Sequence, residues 1–172
     1  AYTDSQGASE SSTSAATSAV ANVNDSPTGS VTISGTPTED EVLTAANTLA
    51  DEDVLGTISY TWSNGDTGST TTLGQSDVGN AITVTASYTD AYGASESSTS
   101  AATSAVANVN DSPTGEVAIS WDSTDPNCSP CEDQVLTASN TLADEDGIGS
   151  ISYQWNRAGT AISSATSSTY TL

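Results

Sequence analysis

Repetition constrains this chain more than any other feature. Residues 7–29 (GASESSTSAATSAVANVNDSPTG) recur letter for letter at 93–115, an offset of 86 residues, and Tyr2-Thr3-Asp4 recurs as Tyr88-Thr89-Asp90. Beyond Ile33 and Ile119 the second copy carries seven extra residues, after which the match resumes at offset 93. Glu39-Asp40 then aligns with Glu132-Asp133, and Asp51-Glu52-Asp53 with Asp144-Glu145-Asp146. Ile58-Ser59-Tyr60 and Trp62 return as Ile151-Ser152-Tyr153 and Trp155, and Leu172, at offset 99, matches Leu73. Self-similarity at such a period marks a tandem array of structural units. The chain divides into the last strands of one unit (1–22), one whole unit (23–108) and the first two-thirds of the next (109–172). With no signal peptide at Ala1, it reads as a window on a longer array.

Within a unit the pattern predicts strands throughout. Val31–Ile33, Val42–Thr44, Ile58–Trp62, Thr70–Leu73 and Ile82–Thr85 are short runs that mostly alternate apolar residues with Ser or Thr. Gly35 with Pro37, Asn64-Gly65-Asp66 and Asp77-Val78-Gly79 supply turns between them. The Ala- and Ser-rich stretch 94–107 could be helical on propensity, but its Ser/Thr content favours an extended last strand. Six or seven strands in about 86 residues suit a β-sandwich.

Composition then removes whole classes of function. Twenty-two acidic side chains face a single basic one, Arg157, for a net charge of −21, and the chain contains no His, Met or Phe. One cation cannot neutralise a row of phosphates or hold an anionic membrane surface. Without His the usual general base and zinc ligand are missing, and without Lys there is no Lys–Asn isopeptide crosslink. No segment approaches the roughly 20 apolar residues of a membrane span. The reading is structural rather than catalytic: acidic pairs could in principle act on a glycosidic bond, but no pattern places two of them across a cleft.

The order of landmarks resembles an immunoglobulin-type domain. Leu43 stands where the second strand carries its core residue and Trp62 where the third-strand tryptophan sits. Leu73 follows, then Asp77-x-Gly79 ahead of Ile82 and Val84. Leu and Val replace the intersheet disulfide. More specifically, VNDSPTGSVTISG, LADED-xx-G-x-ISYxW and SDVGNAITVTASYTD are similar to the immunoglobulin-like or cadherin-like extender repeats of giant bacterial RTX-type surface adhesins. The glycine-rich nonapeptide repeats of such proteins are absent, and the insertion carrying two cysteines departs from the pattern. The resemblance implies an extracellular, calcium-stiffened spacer on a bacterial surface, whose partners are neighbouring repeats of one long chain.

It also implies where the acids go. On an immunoglobulin-like map, Asp25, Asp51, Asp53 and Asp90 gather at the leading pole of the whole unit. Glu39, Asp40 and Asp77 gather at its trailing pole, facing Asp111, Asp144 and Asp146 of the linker and next unit. Crowded carboxylates with no lysine to answer them call for a hard cation that takes six to eight oxygens, which makes calcium the expected cofactor. The linker Asn-Asp-Ser-Pro resembles the calcium-binding linker of cadherins. Glu10, Glu96, Glu116 and Asp66 are expected to face solvent without a role, since acidic surface loops also serve solubility alone.

Cys128 and Cys131 lie in the seven-residue insertion, as Cys-Ser-Pro-Cys. A redox site would want a βαβ context, and zinc two further ligands, so a local disulfide is the expectation for an exported chain. Free thiols or a crosslink to a neighbouring molecule remain alternatives, and Trp121 nearby could form a lateral contact. A polymerising subunit of an extracellular filament, completed by strand exchange, is the alternative function. A carbohydrate-binding module is a remote third.

Overall fold

A computed structural model describes residues 1–122 and 130–172, and it is all-β. At the start, β1 (Tyr2–Thr3) and β2 (Ser9–Glu10) form a small hairpin. The whole unit follows, with β3 (Val31–Ser34), β4 (Val42–Asn47), β5 (Ser59–Trp62), β6 (Thr70–Thr72), β7 (Val84–Thr89) and β8 (Ser95–Thr99). The next unit supplies β9 (Val117–Trp121), β10 (Val135–Asn140), β11 (Asn156–Arg157), β12 (Thr160–Ala161) and β13 (Thr169–Thr171). A 3-10 turn at Gln75–Asp77 leads into the predicted Asp77-Val78-Gly79 corner. No helix among the described residues is long and apolar enough to cross a membrane.

Two three-stranded antiparallel sheets make the whole unit, ordered β3-β4-β6 and β5-β7-β8. Alternation decides which side chains meet between them. Leu43 and Ala45 point inward from β4, and Val84, Ala86 and Tyr88 from β7. Trp62, Leu43, Leu73, Ile82 and Val84 are the largest fully buried side chains. The indole N–H of Trp62 donates to the Gly68 carbonyl at 2.9 Å, so its one polar atom is satisfied inside the core.

The stretch 94–107 is extended, as its Ser/Thr content predicts. It pairs with β7 as far as Thr99, and hydroxyls then take over the ladder. Ser100 Oγ accepts the Val84 N–H at 3.1 Å, and Thr103 Oγ1 accepts the Ile82 N–H at 3.0 Å. This is why the strand predicted from Ile82 begins at Val84. Further on, Val106 is buried and makes a parallel bridge to Val78, while Ala107 bridges Thr38. The chain therefore leaves the unit beside residues 37–39.

The second unit builds the equivalent of the first sheet, β9-β10-β13, and the β11-β12 hairpin. Val117 is 60% exposed where its equivalent Val31 is 5% exposed, and Ile151 is 42% exposed. Trp155 stays buried by tilting onto Tyr170, with ring centroids 5.7 Å apart. Both units are entered through a glycine at positive φ. At Gly29 (φ +93°) an added Cβ would lie 2.3 Å from the Thr48 carbonyl oxygen, and at Gly115 (φ +88°) 2.2 Å from that of Thr141.

Equal substitutions at the two aligned valines should therefore have unequal cost. Val31→Ala is expected to lower stability by about 1.5–3 kcal/mol through lost burial and a residual cavity. Val117→Ala should cost less than about 0.5 kcal/mol. Urea unfolding followed by tryptophan fluorescence measures both, and equal losses would contradict this account of the core.

Candidate metal centre

Glu39 sits in a tight turn between β3 and β4. Its N–H donates to the Ala107 carbonyl at 2.9 Å, and the next residue, Asp40, takes a positive φ of 63°. The side chain is buried, 2% exposed. Its carboxylate accepts the Val109 N–H at 3.0 Å. The Gln75 amide faces the same carboxylate. Turned to donate rather than to oppose oxygen with oxygen, its nitrogen reaches Oε1 at 2.6 Å and Oε2 at 3.2 Å. Neutral donors thus hold a buried acid in place without cancelling its charge.

Two further acids meet Glu39 at this joint. One carboxylate oxygen from each of Glu39, Asp111 and Asp146 lies within 4.8 Å of the others, and this is the one such group among the described residues. The three come from three segments: the whole unit, the linker and the next unit. Asp111 is tied in because its N–H donates to Asp146 Oδ2 at 2.8 Å, and Asp146 because its own N–H donates to Asp144 Oδ1 at 3.0 Å. Oxygens at the 2.3–2.6 Å typical of calcium can be at most about 5 Å apart across the ion, so this spacing fits one shared cation. Left alone, like charges about 4 Å apart repel by about 1 kcal/mol in water and about 4 kcal/mol near a protein surface. The lone cation, Arg157, lies elsewhere, donating to the Tyr170 hydroxyl at 3.3 Å.

The leading pole repeats half of this arrangement. The Asp25 N–H donates to Asp53 Oδ2 at 2.8 Å, and the Asp53 N–H to Asp51 Oδ1 at 2.8 Å. Asp25, Asp51 and Asp53 stand as Asp111, Asp144 and Asp146 do at the joint, and there is no counterpart of Glu39 ahead of them in this chain. Asp90 is buried beside them, with the Ala91 N–H donating to the Asp53 carbonyl at 3.2 Å. Its Oδ1 accepts the Tyr92 and Ala94 N–H groups, while its buried Oδ2 has no hydrogen-bond partner.

The remaining predicted ligands lie outside the cluster. Asp40 is exposed, and only its backbone is engaged, donating to the Leu73 carbonyl at 2.9 Å. Asp77 caps the 3-10 turn, Oδ2 accepting the Gly74 N–H at 3.1 Å and the Asn64 amide at 3.4 Å. Three acids expected to be idle have partners: Asp66 accepts the Thr71 hydroxyl, Glu96 the Asn24 amide and Glu10 the Tyr2 hydroxyl. Gln75 and the Val109 N–H were not legible as part of the site, because an amide and a backbone group carry no charge signal. Cys131 is disulfide-bonded, and its N–H donates to Gln134 Oε1 at 2.7 Å. Cys128 and most of the insertion lie outside the described residues.

Against known proteins, the chain matches no protein-family model, no curated relative and no solved structure.

Tyr88 ties the core to the leading pole, its hydroxyl donating to Asp51 Oδ2. Burial, then that hydrogen bond and the negative charges of Asp51, Glu96 and Asp90, push the phenol well above its ordinary pKa of 10.0. A phenol that ionises less readily folded than unfolded contributes stability that is complete below about pH 10 and lost above it. Comparing urea midpoints at about pH 8 and about pH 11 should therefore show a steep alkaline loss. Tyr88→Phe should flatten that loss, and an unchanged slope would remove Tyr88 from the account.

Proposed function

We propose that this chain is a spacer: serial β-sandwich units of an extracellular bacterial surface adhesin of the RTX-extender type, with each joint stiffened by calcium. The observation that carries the reading is the meeting of Glu39, Asp111 and Asp146 across the joint. A cation held there would tie unit, linker and next unit together, and its loss would leave three carboxylates repelling one another. The chemistry of the donor set supports calcium: hard, charged oxygen ligands brought together from three separate segments. The same hydrogen bonds recur at Asp25, Asp51 and Asp53, and the orphaned Asp90 oxygen offers the second pole an additional ligand. The strand order also supports the immunoglobulin-like reading. First, second and fourth strands share one sheet, and third, fifth and sixth the other, as in that sandwich without its D strand.

Thermal unfolding in excess EDTA and then in millimolar calcium tests the reading. A ligand bound only by the folded state, at a hundred times its dissociation constant, adds about 2.7 kcal/mol. For units of this size that raises the Tm by about ten degrees or more. The rise should shrink clearly in Asp111→Asn/Asp146→Asn, and magnesium, which demands a tighter octahedron, should give much less. No rise, or an equal rise with sodium chloride, would reduce the acids to solvation and screening and overturn the cation-stiffened joint.

A further inference from the structure

We propose that Asn64 and Thr71 form an intramolecular ester that crosslinks the two sheets of the whole unit, independently of any cation. Asn64 lies just past β5 in one sheet, and Thr71 is the central residue of β6 in the other. Their side chains meet at the sandwich edge, where Asn64 Nδ2 donates to Thr71 Oγ1 at 3.1 Å. Thr71 is 3% exposed and donates its own hydroxyl proton to Asp66 Oδ2 at 2.5 Å. The far side of the amide is engaged too. Asn64 Oδ1 accepts the Asp66 N–H at 3.2 Å, and Nδ2 also donates to Asp77 Oδ2 at 3.4 Å.

These are the parts of an acyl transfer. A nucleophilic hydroxyl rests on a carboxylate base, and beside it stands a carbonyl whose developing oxyanion meets a backbone N–H. Asp66 takes the Thr71 proton as Oγ1 attacks Cγ of Asn64. Collapse of the tetrahedral adduct breaks the Cγ–Nδ2 bond, and the proton passes from Asp66 to the departing nitrogen. One ammonia leaves, one ester forms, and Asp66 is regenerated as the carboxylate. Asp77 holds the amide by its leaving group and is a positioning residue. No oxidant or co-reactant is needed.

The next unit provides an internal contrast. There the aligned positions carry Arg157 and Tyr170, whose side chains hydrogen-bond to each other, and Ala165, whose carbonyl accepts the Trp155 N–H as that of Asp66 accepts the Trp62 N–H, stands in place of Asp66. The crosslink would therefore belong to the first unit alone. It would occupy the intersheet role that a disulfide fills in other sandwiches.

The test is the intact mass of the 172-residue chain, aged folded at neutral pH. The parent should become lighter by one ammonia, and its tandem spectrum should lack fragments from cleavage between Asn64 and Thr71. Thr71→Val should keep full mass. Asp66→Asn should convert about a hundredfold more slowly, the usual cost of losing a general base. Full mass in the parent overturns the proposal. So does an ammonia loss that survives Thr71→Val, which would be a succinimide closed by the Gly65 nitrogen. Hydrolysis of the Asn64 amide to a free carboxylate, as the only change, overturns it as well. If circular dichroism shows Thr71→Val unfolded, Asp66→Asn carries the test, and conversion at the parental rate overturns it.

Discussion

Backbone pairing between residues 37–39 and Ala107 decides the geometry of everything that follows it. The Ala107 N–H donates to the Pro37 carbonyl and the Glu39 N–H to that of Ala107, both at 2.9 Å. Two bonds of ordinary strength, each worth about 1 kcal/mol net, thereby fix the point where the chain leaves the sandwich. Because the exit lies against Glu39, the Val109 N–H reaches its carboxylate and Asp111 arrives two residues later. Had the last strand continued along β7, the linker would leave from a different edge and Glu39 would be a buried acid with no joint to serve.

The acids show how position separates roles among residues of one chemistry. Asp77 and Asp90 spend oxygens on backbone N–H groups and shape turns. Asp51 anchors Tyr88, and Asp66 holds Thr71. Glu39, Asp111 and Asp146 instead converge with few neutralising partners, and a convergence of that kind is costly in a chain with one cation. The proposed calcium and the proposed ester would act on different parts of the same mechanical problem. One holds unit to unit, and the other holds sheet to sheet within a unit.

The two aligned units also separate what a strand needs from what a core needs. β9 and β10 pair in register much as β3 and β4 do, although Val117 and Ile119 are exposed. Hairpin pairing is local and needs only the turn and the alternation. Burial differs between them, with Val31 inside and Val117 exposed, while Trp155 is buried against Tyr170.

Much of this was readable beforehand. Period and alternation in the sequence determined the all-β class and the positions of most strands, because inward residues must be apolar and their spacing on a strand is two. Even so, β7 runs four residues past the expected Thr85, and β8 stops at Thr99. The immunoglobulin-like resemblance implied Leu43 and Trp62 as core residues, and both are buried. Charge counting, laid on the immunoglobulin-like map that the resemblance implied, pointed to the joint and included Glu39, Asp111 and Asp146 among ten acids. Only the tertiary structure selected those three from the ten, since proximity depended on a parallel pairing between residues about 70 positions apart that no local pattern encodes. It alone placed Gln75 on Glu39 and Asp66 on Thr71. Those contacts join segments brought together by the packing of two sheets, and a residue's type says what it can bond to but not which partner the fold will bring within reach.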